Sequence, residues 1–350
     1  MQGLSAIDTQ PLVQTGAPPG PLLLPEPGPT ALSATPVLTA AGQEALARAE
    51  EFARRAAAPA TIRAYKADWT HYANWCADKG FVAVPAAPKT VGAYLASLAT
   101  THAPTTIRRR LAAIGKMHRF NDLPWNAAHR DIQEPLGGVL RDHGRPVEKA
   151  AALSLAMLRA LVATCGPTAR GRRDRALLLI GFAGALRRSE LVALQAQDVT
   201  VTAGGLRLSI RRGKTDQAGQ GAEIGLPRGR HPETCPVRAF EDWQAVARRR
   251  AGPLFRRIST KDNIGAEALH PDAVRRILAY RVRLAGLPAE GLDRLSAHAL
   301  RVGFITEAYN QGVRDEDIMR HTRHRDLRTM RGYVERAGLV TESPAGALDL

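Results

Sequence analysis

Four short clusters in the second half of the 350-residue chain hold residue types that could act on a phosphate. The first is Ala185-Leu186-Arg187-Arg188-Ser189-Glu190-Leu191, at the join of an apolar helix and the next one. An arginine there can aim a rigid fork of donors at an anion, and Glu190, three residues on, can orient it. A surface Arg–Glu pair has the same spacing. The second is Gly213-Lys214-Thr215-Asp216, where Lys214 is the only lysine between Lys149 and Lys261. It lies at a predicted hairpin tip, where a lysine either reaches a ligand or is merely exposed. The third is His298-Ala299-Leu300-Arg301, whose spacing of three puts both side chains on one helix face. With 10 histidines in so arginine-rich a chain, roughly one such pair is expected by chance, so only its position after the predicted cap Ser296 adds weight. The fourth runs from Met319 to Tyr333 and packs two histidines, five arginines and one tyrosine into fifteen residues. His321 and His324 have no cysteine or carboxylate set nearby to complete a metal site, so no metal is expected. A basic run with a lone tyrosine suits a nucleic-acid contact surface.

The elements that must position these residues read as helical, with one small sheet. Residues 1–44 hold 8 of the 23 prolines and no apolar period, and are expected to be a flexible tail. Helices follow from near Thr39–Glu44 through Arg54, from the cap Thr61 to Lys79 before Gly80, and over 89–100 and 104–120. The 104–120 helix sets Ile107, Leu111, Ile114 and Met117 on one face. Arg109 and Lys116 fall opposite, flanked by Arg108 and Arg110. Those four basic residues are the candidate DNA contacts, since a basic face beside an apolar one can enter a groove. A solvated helix surface is the plain alternative.

Residues 45–140 thus form an all-helical domain, and 141–150 a linker, with Leu136–Gly138 already read as leaving the helix. Ser154 caps a new helix, and Arg172–Ala185 is apolar enough to be buried. Val199–Val201, the alternating Leu206, Leu208 and Ile210, and Ile224–Leu226 suggest a short β meander. Helices return at 236–250, 270–285, 296–310, 315–322 and from 327. The fold class is mainly α with a small antiparallel sheet (α+β).

Charge narrows the partner. The 49 Lys+Arg against 33 Asp+Glu leave a net +16, all of it beyond residue 44, since the tail holds three acids and no base. Such a field favours polyanions, nucleic acid ahead of acidic membrane. No apolar run is long enough for a membrane span, no cationic signal segment opens the chain, and Cys76, Cys165 and Cys235 form no close pair. A cytoplasmic, nucleoid-associated protein is expected.

Taken together and in this order, the clusters resemble the tyrosine recombinase (phage integrase) family, in its simple two-domain form. The family's sequence of Arg, hairpin Lys, His-x-x-Arg, His and, nine residues later, Tyr corresponds here to Arg187, Lys214, His298, Arg301, His324 and Tyr333. The resemblance covers about 45–337 and is strongest over 172–337. It departs from the family pattern at Arg323, where many members have glycine. It implies a core-binding domain over 45–140 and a catalytic domain over 151–337.

It further implies cutting and rejoining of double-stranded DNA through a phosphotyrosine on Tyr333, without metal, ATP or other cofactor. Arg187 and Arg301 would neutralise the phosphate and Lys214 would protonate the leaving oxygen. His298 and His324 would assist, with Glu190 supporting the site. A homotetramer on paired inverted-repeat sites would complete strand exchange, and the tail 338–350 would dock on a neighbouring protomer or fray. A type IB topoisomerase would use much the same residues, and a DNA-binding protein that never cuts is the rival from another class. A metal-dependent nuclease would need carboxylate clusters the chain lacks.

Overall fold

The computed structural model describes residues 39–55, 59–144, 152–211, 221–288 and 297–334. The chain divides into two compact units, Met1–Pro146 and Val147–Leu350.

The first unit is all helix: α1 (Ala40–Arg55), α2 (Pro59–Lys79), α3 (Pro88–Ser97), α4 (Pro104–Phe120) and α5 (Arg130–Asp142). Proline at the first turn starts α3 and α4, where its missing N–H costs nothing. Gly80, at φ 72°, follows α2 in the left-handed region that glycine tolerates. The core joins Tyr72 and Cys76 of α2, Val91, Tyr94 and Leu95 of α3, Ile107, Leu111 and Ile114 of α4, and Ile132, Leu136 and Val139 of α5. Three expectations need correction. α1 begins at Ala40, inside the span assigned to the tail though within the Thr39–Glu44 stretch where order was expected to begin. α2 begins at Pro59, so Thr61 lies inside the helix and does not cap it. α5 runs through Pro135, Gly137 and Gly138 to Asp142, two residues into the expected linker. The spacing 132, 136, 139 supplies a buried stripe, and its packing outweighs the poor helix propensity of glycine and proline.

The second unit opens with α6 (Leu155–Ala163), capped as expected by Ser154, whose Oγ accepts from the Met157 N–H at 3.2 Å. α7 (Ala169–Ala183) follows, buried along its length, and then the short α8 (Arg188–Ala193). β1 (Val199–Thr202), β2 (Gly205–Ile210) and β3 (Ala222–Pro227) form an antiparallel meander, with Leu206 opposite Leu226 and Leu208 opposite Ile224. These four leucine and isoleucine side chains are buried, which pins the register, because a one-residue slip would turn them to solvent. α9 (Pro236–Ala247), β4 (Arg256–Ile258), β5 (Ile264–Ala268), α10 (Pro271–Leu284), α11 (Ala297–Asn310), α12 (Asp315–Thr322) and α13 (Leu327–Val334) complete it. The expected fold class holds: helices dominate, and the sheets are small and antiparallel. The β4–β5 hairpin has no counterpart in the sequence reading.

Two features fix the elements that carry the site. Asp174 of α7, 1% exposed, accepts from Arg173 Nε at 2.6 Å and from Arg281 Nη2 of α10 at 2.7 Å. That buried network ties α7 to α10. On the other side, Leu153 donates its N–H to the Ala299 carbonyl at 3.2 Å, laying the chain before α6 along α11. Gly303 makes this approach possible, since a Cβ there would collide with the Leu153 carbonyl and press on Phe182. Gly303→Ala is therefore expected to destabilise the unit by about 1–3 kcal/mol, the usual cost of overpacking. A thermal melt checks it, and an unchanged midpoint would show that α11 does not depend on that contact.

Candidate active site

The site grows from the end of α7. A helix leaves its last carbonyls without intrahelical partners, and here side chains from later elements reach the Ala183 carbonyl at the end of α7 and the Ala185 carbonyl two residues beyond it. Arg301 Nη1 of α11 donates to the Ala185 carbonyl at 2.7 Å, and His321 Nε2 of α12 donates to the Ala183 carbonyl at 2.7 Å. Cations and ring N–H groups suit a helix C-terminus, where the dipole is negative. Ala185 turns the chain at φ 44°, fully buried, and delivers Arg187 as the residue just before α8.

Glu190 sits at the third position of α8 and is 3% exposed. Its Oε2 accepts the Arg187 backbone N–H at 2.9 Å and its Oε1 accepts Arg187 Nη1 at 2.7 Å. Arg323 Nη2 reaches the same carboxylate from beyond α12, at 2.6 Å from Oε2. Burial acts to raise the Glu190 pKa. The charge of Arg323 and the hydrogen bonds from Arg187 outweigh it and hold the carboxyl below its ordinary range. Glu190 is therefore an anion bridging two guanidiniums.

Arg301 is 1% exposed. Burial first, then the charges of Arg187 and Arg323, push its pKa down to about 9, so it stays charged at neutral pH. Its Nη2 lies 3.1 Å from His324 Nε2 and 3.4 Å from Nδ1; the shorter contact is the hydrogen bond. A guanidinium only donates, so Nε2 must carry a lone pair and Nδ1 the proton. Nδ1 then donates to Thr322 Oγ1 at 2.7 Å, while the Thr322 hydroxyl donates to the Ile318 carbonyl at 2.7 Å. The His324 pKa falls to about 4, through burial first and then the charge of Arg301. His298, also pushed down by burial and then by Arg301, sets Nε2 3.1 Å from the Tyr333 hydroxyl. The Tyr333 ring packs edge-on to His298 and at 6.0 Å between centroids from His324.

Arg187, His298, Arg301, His324 and Tyr333 thus form one cluster within one unit, with Glu190 against it. Lys214 lies between β2 and β3, outside the described residues, as do Ser296 and the tail 338–350. His321 and His324 turn to different partners, and among the described residues no group of three or more His, Cys, Asp or Glu side chains converges to hold a metal ion. Sequence reasoning missed Thr322 and treated Arg323 only as a departure from the family's glycine. The signal was present: a residue just past a helix end, in the left-handed position that glycine usually fills, needs its side chain for something.

The basic face of α4 needs one correction. Arg110 is only 8% exposed and donates from Nη1 to the Tyr94 hydroxyl at 3.1 Å. At 100° per residue it falls beside Ile107, Leu111 and Ile114, hence with the core. Arg108 and Lys116 are exposed. Arg109 is half-exposed and forms a bidentate pair with buried Asp68, at 2.7 and 3.0 Å.

The phage integrase family model matches residues 152–338. An integrase/recombinase XerD homolog from Selenomonas ruminantium is 31% identical over 287 residues, covering 81% of this chain and 83% of that protein. The fold is similar to that of the XerH site-specific recombinase bound to a palindromic difH substrate in a post-cleavage complex (18% identity, TM-score 0.52, 73% of this chain and 72% of that one). It is also similar to that of lambda integrase (75–356), a dimer bound to a COC′ core site (16% identity, TM-score 0.53, 83% and 94%).

Three histidines at the site, His298, His321 and His324, have folded pKa values below their ordinary 6.5. In the window below 6.5, reaching to about 4 for His324, the unfolded chain binds more protons than the folded one. Stability therefore falls as pH drops through that window. Melting temperature followed from pH 7 to pH 5 should decline in the wild type, with a shallower slope in His324→Asn. Equal slopes would mean that His324 titrates alike in both states.

Proposed function

The chain belongs to the phage integrase family of tyrosine-type site-specific recombinases, and from that premise we propose that Tyr333 cuts and rejoins double-stranded DNA through a 3′-phosphotyrosyl intermediate. The single observation that carries this reading is the Tyr333 hydroxyl, 3.1 Å from a histidine nitrogen and grouped with Arg187 and Arg301 in one protomer.

In the step proposed, Tyr333 Oη attacks the scissile phosphorus and the Tyr–O–P bond forms as the bond from phosphorus to the 5′ oxygen breaks. His298, kept neutral by burial, accepts the tyrosine proton at Nε2. The Lys214 ammonium gives its proton to the departing 5′ oxygen. Arg187 and Arg301 donate to the nonbridging oxygens, where charge builds in the transition state; one such donor is typically worth ~10²–10³ in rate. His324 holds Arg301 in line. The phosphodiester energy is retained in the covalent bond, so reversal of the same step rejoins a strand without metal, ATP or another cofactor.

Two duplexes exchanging strands require four cuts, and one chain supplies one tyrosine here. A homotetramer on paired sites with inverted repeats meets that count. Arg108, Arg109 and Lys116 on the exposed side of α4 would contact DNA phosphates, and the work would be done at the nucleoid in the cytoplasm. No helix of the described residues is long and apolar enough to cross a membrane.

Covalent selection from a library of nicked duplexes tests the chemistry. The wild-type chain should retain DNA through denaturation, and Tyr333→Phe should retain none while still binding duplex. An adduct of normal yield from Tyr333→Phe would sink the assignment. Recovered DNA in which two sites exchange partners supports recombination, whereas relaxation of any plasmid without joint products would point to a topoisomerase.

Lys214→Ala should slow cleavage and be rescued in part when sulfur replaces the 5′ leaving oxygen, because a thiolate leaves without an acid. Absence of rescue would remove Lys214 from the acid's role. Both experiments use the full chain, with quenched gels as the readout.

A further inference from the structure

Arg323 stands out on three independent counts. It occupies the left-handed backbone region, at φ 59° and ψ 43°, which residues other than glycine adopt only under strain. Its side chain is 15% exposed and spends only one of its terminal nitrogens on protein, Nη2 on Glu190. Its other terminal nitrogen, Nη1, is buried and has no hydrogen-bond partner among the described residues. A buried donor left empty is unfavourable, and more so on a charged group. The protein thus bears a strained backbone and an unmet donor at one residue, inside the cluster that holds Tyr333.

Charge points the same way. Glu190 is the only carboxylate hydrogen-bonded to the cluster of Arg187, Arg301 and Arg323 among the described residues. Arg187 holds Oε1 and Arg323 holds Oε2, so the two guanidiniums flank one anchor. Among the described residues no other carboxylate is hydrogen-bonded to the cluster to offset the remaining positive charge. An anion that met Nη1 would satisfy the donor and lower the repulsion together.

We propose that Arg323 is a third guanidinium on the scissile phosphate, anchored through Nη2 on Glu190 and donating through Nη1 to a nonbridging oxygen. This rests on the reading that Tyr333 attacks a DNA phosphate at this cluster. It makes Arg323 a catalytic residue in its own right, distinct from the pair Arg187 and Arg301.

The test uses the full chain and a nicked duplex recovered by the covalent selection, with wild type, Tyr333→Phe, Arg323→Gly and Arg323→Gln. Arg323→Gly removes the guanidinium and relieves the backbone; Arg323→Gln keeps a donor for Glu190 and drops the charge, which covers any folding loss in the glycine variant. Both variants should form adduct about 10- to 100-fold more slowly than wild type, with duplex affinity within a few-fold. When a methylphosphonate replaces the scissile phosphate, the reacting centre loses a negative charge. The gap between variant and wild type should then shrink to a few-fold. Wild-type rates in Arg323→Gly or Arg323→Gln on the phosphate substrate overturn the proposal. So does a gap that stays the same on methylphosphonate, because Arg323 would then act only by holding Glu190. If the wild type itself gives no adduct dependent on Tyr333, the function proposed for the site has failed instead.

Discussion

One buried carboxylate organises the site. Glu190 accepts a backbone N–H and a guanidinium from Arg187 and a second guanidinium from Arg323, and almost none of it is open to water. Desolvation alone would drive such a group toward its neutral form, and only paired charges keep it ionised. The dependence runs both ways. Without Glu190, Arg187 and Arg323 would face each other unscreened in a half-buried pocket. Without either arginine, the carboxylate would be left short of partners in a place where an uncompensated charge costs several kcal/mol. The spacing Arg187-x-x-Glu190 at the start of α8 is therefore more than a surface pair: the helix start aims Arg187, and the carboxylate locks it.

The end of α7 is the second constraint. The Ala183 carbonyl at its end and the Ala185 carbonyl in the turn that follows take donors from α12 and α11, more than a hundred residues later in the chain. Arg301 gives Nη1 to the second and keeps Nη2 for His324. One guanidinium thus pins the turn after α7 and sets the tautomer of a neighbouring ring. Because Arg301 and His321 are fixed by α7, and Arg187 leaves the same helix end, residues from three distant segments share one rigid reference. The buried Asp174–Arg281 pair holds α7 in place from the opposite side. Stability of the fold and precision of the site rest on the same helix.

Much of this was legible in the sequence, for identifiable reasons. Arg187, His298, Arg301, His324 and Tyr333 could be found because each is a reactive type in a fixed order. Where structure came from tertiary context, the sequence spoke less clearly. α5 contains Pro135, Gly137 and Gly138, and local propensity hid a helix that Ile132, Leu136 and Val139 stabilise by packing. Arg110 was grouped with its basic neighbours, although helical geometry turns it toward Tyr94. The β4–β5 hairpin lacks an alternating pattern: after Ile264, β5 is Gly-Ala-Glu-Ala, mostly small residues, and its pairing with Arg256–Ile258 is irregular. Thr322 went unseen since a hydroxyl's role in fixing a tautomer depends on where two other groups lie.

The charge count at the site bears on how it would act. Among the described residues, three guanidiniums against one carboxylate leave a residual of +2, and burial and mutual repulsion already lower the Arg301 pKa to about 9. The two histidines beside them are driven toward neutrality by the same field, so they add no charge of their own. A phosphodiester in its ground state carries one negative charge, whereas a five-coordinate phosphorus under attack by tyrosine carries nearly two. On the proposed reaction, a pocket with an excess of positive charge would be closer in charge to the transition state than to bound DNA, and only such a difference accelerates a step. The repulsion among the arginines would be released in proportion as negative charge develops between them. On the proposed reading, the unpaired donor and the strained backbone at Arg323 belong to the same logic as the buried Arg301: positive charge is held where it is least comfortable, so that a reacting phosphate would meet it already in place.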